Sequence, residues 1–351
     1  MRDVAIVSFA QTVHSRRRQD VNEVELIQPV IQEAKERVGL DRHDIGFTCS
    51  GSSDYLAGQA FSFVMTLDAV GPWPPISESH VEMDGAWALY EAWVKIQTGA
   101  ADTALVYGYG KSSPGDLPRV LSRQLDPYYF GPLWLDSVSV AALQARAMID
   151  SGKLTQRQMA ETAARSRAAA KANPFAQVKG DFDVEAILAE DCLADPLRRH
   201  DCPPVSDGGA AVVLAADDTA RRLVERPAWI RGIDHRVDSH NLGARDLTRA
   251  PSAALAAHEA GVSGGKVDVA ELHAPFTHQE AILRAEIPLD GAEVNPSGGA
   301  LAANPMMAAG LIRLGEVARR IIDGSADRGV AHATAGHCLQ QNLVAVLEGD
   351  G

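Results

Sequence analysis

The chain has 351 residues, 46% hydrophobic and 23% charged, with a formal net charge of −13. Its length argues for more than one structural unit, and its composition for a globular protein with a large core. The acidic balance, with pI near 5.3, excludes nucleic acid and anionic membrane surfaces as default partners, although a local basic patch could still meet a phosphorylated ligand.

Strand and helix patterns alternate along the chain, which predicts a layered α/β fold. Val4–Phe9 reads as a strand, directly after Met1-Arg2-Asp3. Val21–Val38 carries helical periodicity through Val24, Leu26, Ile27, Val30, Ile31 and Ala34. Ile45–Cys49 reads as a buried strand and Ser50-Gly51-Ser52-Ser53 as a loop. A short apolar stretch through His80-Val81-Glu82-Met83 runs into a helix beginning near Asp84. Thr103–Tyr109 is a further strand.

Residues from about Pro114 to Pro204 break the alternation. They hold an aromatic run, Tyr128-Tyr129-Phe130-Gly131-Pro132-Leu133-Trp134, and two helix candidates, Ser137–Asp150 and Thr155–Ala172. The segment reads as an insertion between two strands, its aromatics either covering a ligand or packing the insertion onto the core. Gly208–Ala215 is a strand small and apolar enough for a sheet interior. After Arg226-Pro227 the scheme begins again, with strands at Trp229–His235, Val267–Leu272, Val330–Thr334 and Leu343–Leu347. Helices are predicted at Ser252–Ala260 and Gly299–Ile312. The expected division is residues 1–224, with the insertion at about 114–204, and residues 225–351. Such a duplication implies a site where the halves meet.

The four cysteines, Cys49, Cys192, Cys202 and Cys338, lie far apart and match neither a zinc-ligand spacing nor a disulfide framework. No signal-peptide pattern or bilayer-length apolar run is present, so a cytoplasmic location and no membrane partner are expected.

Three segments carry a resemblance to the thiolase superfamily. Ala194 to Ala211, containing His200-Asp201-Cys202-Pro203-Pro204-Val205-Ser206-Asp207-Gly208-Gly209, is similar to the segment entering the last strand of the family's first half. Val294-Asn295-Pro296-Ser297-Gly298-Gly299-Ala300 is similar to its glycine-rich loop, and Asn173-Pro174 fits its loop domain. The order and spacing hold over essentially the whole chain. The resemblance implies an α/β thiolase fold with two pseudo-symmetric halves, α-β-α-β-α layering and an inserted loop domain. The branch it resembles is the lipid-transfer-protein-like group of steroid side-chain aldolases.

Motif by motif, Asp84 falls at the family's nucleophilic cysteine. Asn304, in Ala303-Asn304-Pro305, falls at the Gly-His-Pro histidine. Gly336 falls near the second cysteine, two residues before Cys338. His273, in Glu271-Leu272-His273-Ala274-Pro275-Phe276, matches the His-Asp-Cys-Phe motif of sterol-carrier thiolases. Ser297, Gly298 and Gly299 are implied coenzyme A contacts, although the two glycines by themselves read only as a tight turn. The related steroid aldolases use two tyrosines in the second half, whereas this chain has none after Tyr129.

Thiolysis needs a thiolate to carry the acyl group. An aspartyl mixed anhydride would be a high-energy substitute, so retro-aldol cleavage is the expected chemistry. That reaction needs a base and donors to the enolate oxygen. His273 is the first candidate for acid/base work, since imidazole titrates near neutrality; the alternative is a structural histidine. Asn304 is either a donor to the enolate oxygen or the N-cap of a helix starting at Pro305-Met306. Asp84 is a helix N-cap whose carboxyl the helix dipole should hold low, or a group that orients a histidine or water. His337 and Cys338 belong to a C-terminal loop closing the site, and His80 and Glu82 are weaker candidates.

The function expected is a carbon–carbon lyase acting on a β-hydroxyacyl-CoA, with a steroid or other bulky side chain. No cofactor or metal is expected, since the substrate itself carries coenzyme A. The alternative is a non-catalytic acyl-CoA-binding, lipid-binding or scaffolding subunit. An acyltransferase using Cys338 is a third possibility. The resemblance also implies a homodimer, and a partner that is either an OB-fold/zinc-ribbon subunit or a second thiolase-like chain.

Overall fold

The computed structural model describes residues 2–350. Its strands are β1 Val4–Gln11, β2 Phe47–Gly51, β3 Glu78–Val81, β4 Thr103–Lys111, β5 Cys192–Ala194, β6 Leu197–Arg198, β7 Asp207–Ala216, β8 Ala228–Val237, β9 Val269–Leu272, β10 Glu293–Val294, β11 Arg328–Ala335 and β12 Gln341–Glu348. Ten form one sheet in the order β10-β9-β11-β12-β8-β1-β7-β4-β2-β3, and β5 with β6 makes a separate hairpin.

The sheet consists of two five-stranded runs. In the first, β2 is parallel to β3 and β4, β4 is antiparallel to β7, and β7 is antiparallel to β1. The second repeats each relation: β9 is parallel to β10 and β11, β11 is antiparallel to β12, and β12 is antiparallel to β8. The runs meet where Ala5 pairs with Trp229 and Ile6 with Ala228.

Successive strand side chains point to opposite faces, and this alternation divides the core. Ala211 and Val213 pack against the helix Glu23–Glu36 on one outer face. Val212 and Leu214 face inward, onto the helices Gly85–Gln97 and Ala309–Ile322. Ala331 and Ala333 of β11 cover those same helices from the other half. Val330 of β11, with Val344 and Val346 of β12, packs outward against the helices Pro251–Glu259 and Thr277–Glu286. The result is five layers, α-β-α-β-α, with the two central helices shared.

The expected helix over Gly299–Ile312 is broken. A short helix, Gly299–Ala302, stops; Ala303 is extended (φ −161°, ψ 134°), and a longer helix runs from Ala309 to Ile322. Pro305 accounts for the break, because its ring disfavours helical backbone at Asn304 and it has no N–H for a helical ladder. The helix Thr277–Glu286 and strand β10 are elements that the predicted order did not include.

The segment between β4 and β7 leaves and returns at neighbouring points, since Lys111 stands opposite Asp207. The Asp207 carboxylate accepts from Ser113 N and Oγ and from Arg18 N at 2.6–3.0 Å, which fixes the root of the excursion. Tyr128 and Trp134 are 83% and 72% exposed, so these aromatics neither pack onto the core nor cover the central cavity. Phe130 alone joins a small cluster, with Leu125, Val140 and Cys338. Among the described residues no helix is long and apolar enough to cross a membrane.

The central layer is packed without slack. A Cβ at Gly315 would fall 2.1 Å from the Phe9 ring. Gly315→Ala should therefore lower stability by about 1–3 kcal/mol through overpacking, read as a lower urea midpoint. An unchanged midpoint would show that Phe9 swings aside freely.

Candidate active site

Asp84 caps the helix Gly85–Gln97. Its Oδ1 accepts from Ala86 N at 2.9 Å and from Leu311 N at 2.9 Å, and its Oδ2 accepts from Gly310 N at 3.0 Å. One buried carboxylate thus satisfies orphan donors at the N-termini of both central helices. Burial pushes its carboxyl up from the ordinary value, against the pull of the three backbone donors and Arg313. The expectation of a lowered value does not hold, because desolvation outweighs the helix dipoles.

His273 follows β9, and Asn304 sits in the break before the helix Ala309–Ile322. Their side chains meet, with His273 Nε2 3.0 Å from Asn304 Oδ1. Thr334 N–H approaches His273 Nδ1 at 3.4 Å, so Nδ1 is the acceptor and Nε2–H donates to the amide oxygen. Burial lowers His273 to about 4, with the Asn304 bond pulling the other way. The expected titration near neutrality is therefore corrected: this imidazole is neutral and both its nitrogens are engaged. Asn304 caps no helix. Its backbone N–H goes to Ser206 Oγ at 3.0 Å, and its amide Nδ2 has only a weak contact, 3.9 Å, to Met306 Sδ. The second amide N–H has no partner.

Asp84, His273, Asn304, His337 and Cys338 line one cavity of about 170 Å³. The excursion supplies Leu117, Leu121, Val138 and Ala141 to its wall, and Thr334 and Gln279 add polar atoms. His337 Nε2 is 3.0 Å from the Leu121 carbonyl, so Nε2 carries the proton and Nδ1 keeps its lone pair. Burial lowers His337 from its ordinary value. Arg245 holds the loop by donating to the His337 and Cys338 carbonyls at 2.9 and 3.1 Å.

Cys338 is buried and pushed up to about 12, as is Cys202 in the same wall. Burial thus disfavours both thiolates, which weighs against Cys338 as an acyl carrier. Ser297, Gly298 and Gly299 are not brought to the cavity. Ser297 donates to Glu271 through N and Oγ at 2.9 and 2.7 Å, beside the buried Glu271–Arg313 ion pair. A Cβ at Gly298 would fall 2.6 Å from the Ala170 Cβ, so this turn docks the excursion. His80 stacks on Phe63 at 3.6 Å, and Glu82 accepts from Asp54 N; both lie outside the cavity. Among the described residues no group of three or more His, Cys, Asp or Glu side chains is placed to hold a metal ion.

No protein-family model matches the sequence. The acetyl-CoA acetyltransferase of Methanothermobacter thermautotrophicus is 26% identical over 374 residues, covering 96% of this chain and 97% of that one. Among solved structures, an Ltp2-ChsH2(DUF35) aldolase has a TM-score of 0.81 at 20% identity, covering 99% of this chain and 98% of that one. Human mitochondrial 3-ketoacyl-CoA thiolase has a TM-score of 0.80 at 16% identity, covering 100% and 99%. The chain has the thiolase-superfamily fold.

Within this thiolase fold, sequence reasoning finds His273, Asn304, Asp84 and His337, but not Thr334, Gln279 or Arg245. Gln279 donates to Gln144 Oε1 at 3.1 Å, a contact between segments 135 residues apart. No local pattern marks such residues, whose neighbours are set by tertiary packing alone.

Two outcomes follow from this geometry. Asp84→Asn sets an amide N–H₂ against backbone N–H groups, and should cost about 1–3 kcal/mol in chemical denaturation. His273 is held at about 4, and His14, His278 and His332 at about 3, all chiefly by burial. The folded state then binds fewer protons than the unfolded chain below the ordinary value of 6.5. Stability is full above pH 6.5 and should fall by up to about 1.4 kcal/mol per pH unit for each histidine as pH drops toward 4. Guanidinium midpoints from pH 7.5 to 4.5 test this, and a flat profile would refute it.

Proposed function

We propose that this protein is a carbon–carbon lyase acting on acyl-CoA thioesters. It performs retro-aldol cleavage of a β-hydroxyacyl-CoA with a steroid or comparably bulky side chain. The products are a carbonyl compound and a short acyl-CoA. The observation that carries this reading is the His273–Asn304 pair, which presents a free amide donor to a cavity whose thiols stay protonated. The aldolase among the structural neighbours supports it. The acetyl-CoA acetyltransferase relative speaks for acyl transfer, but that chemistry needs a thiolate, which burial disfavours at both Cys202 and Cys338.

In this reaction His337 Nδ1 takes the proton of the β-hydroxyl. The oxygen's electron pair forms the carbonyl as the Cα–Cβ bond breaks. The bonding pair moves into the thioester, giving an enolate whose oxygen accepts from Asn304 Nδ2–H. His273 fixes the Asn304 amide from behind, and the proton held on His337 returns to the α carbon. His273 is thus a positioning residue, and the base role moves to His337. A DUF35-type partner, as in the Ltp2-ChsH2(DUF35) aldolase, and dimerisation belong to the same proposal.

A second reading, a non-catalytic acyl-CoA-binding or scaffolding subunit, draws on the saturation of Asp84 by three backbone donors. Mass detection of a short acyl-CoA after incubation with a β-hydroxyacyl-CoA, with and without the partner subunit, separates the two. Asn304→Ala should lower kcat by about 100- to 1000-fold, and His337→Ala by at least about 100-fold. The acid limb of kcat/KM should lie below pH 6.5, since burial lowers His337. Turnover indifferent to both substitutions would favour the scaffolding reading.

A further inference from the structure

The helix Ser137–Asp150 buries an apolar face of Val140, Ala141, Ala142, Ala145 and Met148, and within that face one amide, Gln144. Gln144 is 0% exposed, so any unfilled hydrogen-bonding position would be costly. All four positions are filled, and the partners fix which atom is which. Its nitrogen meets two carbonyls, Leu247 O at 3.2 Å and Cys338 O at 3.4 Å, so Nε2 donates to both. Its oxygen accepts from Gln279 Nε2 and His278 Nε2, each at 3.1 Å. The Gln279 amide is oriented independently, because its Oε1 takes the Phe276 N–H at 3.3 Å.

The two carbonyls belong to one closed circuit. Arg245 Nη2 donates to His337 O and Cys338 O, and Leu247, two residues after Arg245, gives its carbonyl to Gln144. Cys338 O therefore receives from Gln144 and Arg245 together, and the circuit runs from Gln144 through Cys338, Arg245 and Leu247 back to Gln144. The turn it grips is strained. Cys338 and Leu339 both have left-handed backbone, with φ 55° and 58°. Two consecutive non-glycine residues stay in that region only where surrounding contacts over-determine them. His337 stands one residue before the strained pair, with its Nε2 at 3.0 Å from Leu121 O.

We propose that Gln144 is a positioning residue, which clamps the strained Cys338–Leu339 turn and so sets where the His337 imidazole stands in the cavity. An apolar side chain of the same length would fill the space but give up the donors to Cys338 O and Leu247 O. The turn then relaxes out of the left-handed region and carries His337 off Leu121 and out of its buried position. The clamp's part in turnover rests on the reading of His337 as the base; its hold on the His337 geometry does not.

The His337 imidazole itself reports the clamp, without turnover. Its titration and tautomer are read by nitrogen-15 NMR of the full chain labelled at histidine, its signals being those lost in His337→Gln. Gln144→Met keeps the side-chain length and removes every hydrogen bond. Arg245→Met opens the same circuit from its other side and serves in its place where Gln144→Met does not fold. Either should move the His337 titration up by at least about 0.5 pH unit, toward its ordinary value, as the burial that lowers it is relieved. Gly315→Ala, which is destabilised elsewhere, should leave that titration where it is. Where a β-hydroxyacyl-CoA is cleaved, Gln144→Met should lower kcat about tenfold with KM within about twofold, and shift the acid limb with the NMR titration. An unmoved His337 titration in the folded clamp variant, or an equal movement in Gly315→Ala, overturns the clamp even if cleavage is observed. A titration that moves only in the clamp variants of a protein that cleaves nothing sustains the clamp while the lyase reading fails.

Discussion

The arrangement of this molecule depends on one buried carboxylate. Asp84 accepts from Ala86, Gly310 and Leu311, and so ties the N-termini of the two central helices to each other across the junction of the halves. Both helices share one apolar core, and the helix Ala309–Ile322 also packs on β1 of the first run, where Gly315 meets the Phe9 ring. A displacement of either helix would strand buried N–H groups, each costing about 1–3 kcal/mol. The glycines around this point follow from the same constraint: a Cβ at Gly310 would meet Asp84 Oδ1 at 2.6 Å, and one at Gly51 would meet Gly85 N at 2.4 Å.

The site inherits its character from that junction. Asp84 is committed to backbone donors and has little capacity left for a substrate. His273 and Asn304 arrive from the second half, one after a strand and the other in a proline-broken helix, and hold each other. Their burial keeps His273 neutral, which suits it to orienting an amide and unsuits it to proton removal near pH 7. His337, on a loop braced by Arg245, keeps the one imidazole nitrogen of the cavity that the chain leaves unbonded.

A buried ion network supports this geometry from behind. Glu271, two residues before His273, pairs with Arg313 at 2.9 Å and accepts from Ser297 N and Oγ. It joins β9, the Ser297 turn and the long central helix, the elements that flank His273 and Asn304. The glycine-rich turn is thus a structural joint between the excursion and the second half, and its glycines serve close approach to Ala170 and Asn295.

By itself the sequence determined the alternating α/β order, the internal repeat and the place of the excursion. Hydrophobic periodicity is local and survives in any window of about ten residues. It also singled out Asp84, His273, Asn304 and His337, because motif position is a property of the linear chain. What those residues do was decided by the tertiary structure. Whether His273 titrates depends on desolvation and on a partner 31 positions away, and whether Asp84 is a free carboxylate depends on Gly310 and Leu311, more than 220 positions distant. Burial and long-range hydrogen bonding have no signature in a short window. That is why the scaffold could be read from the sequence, while the protonation states and hydrogen-bond partners of these residues could not.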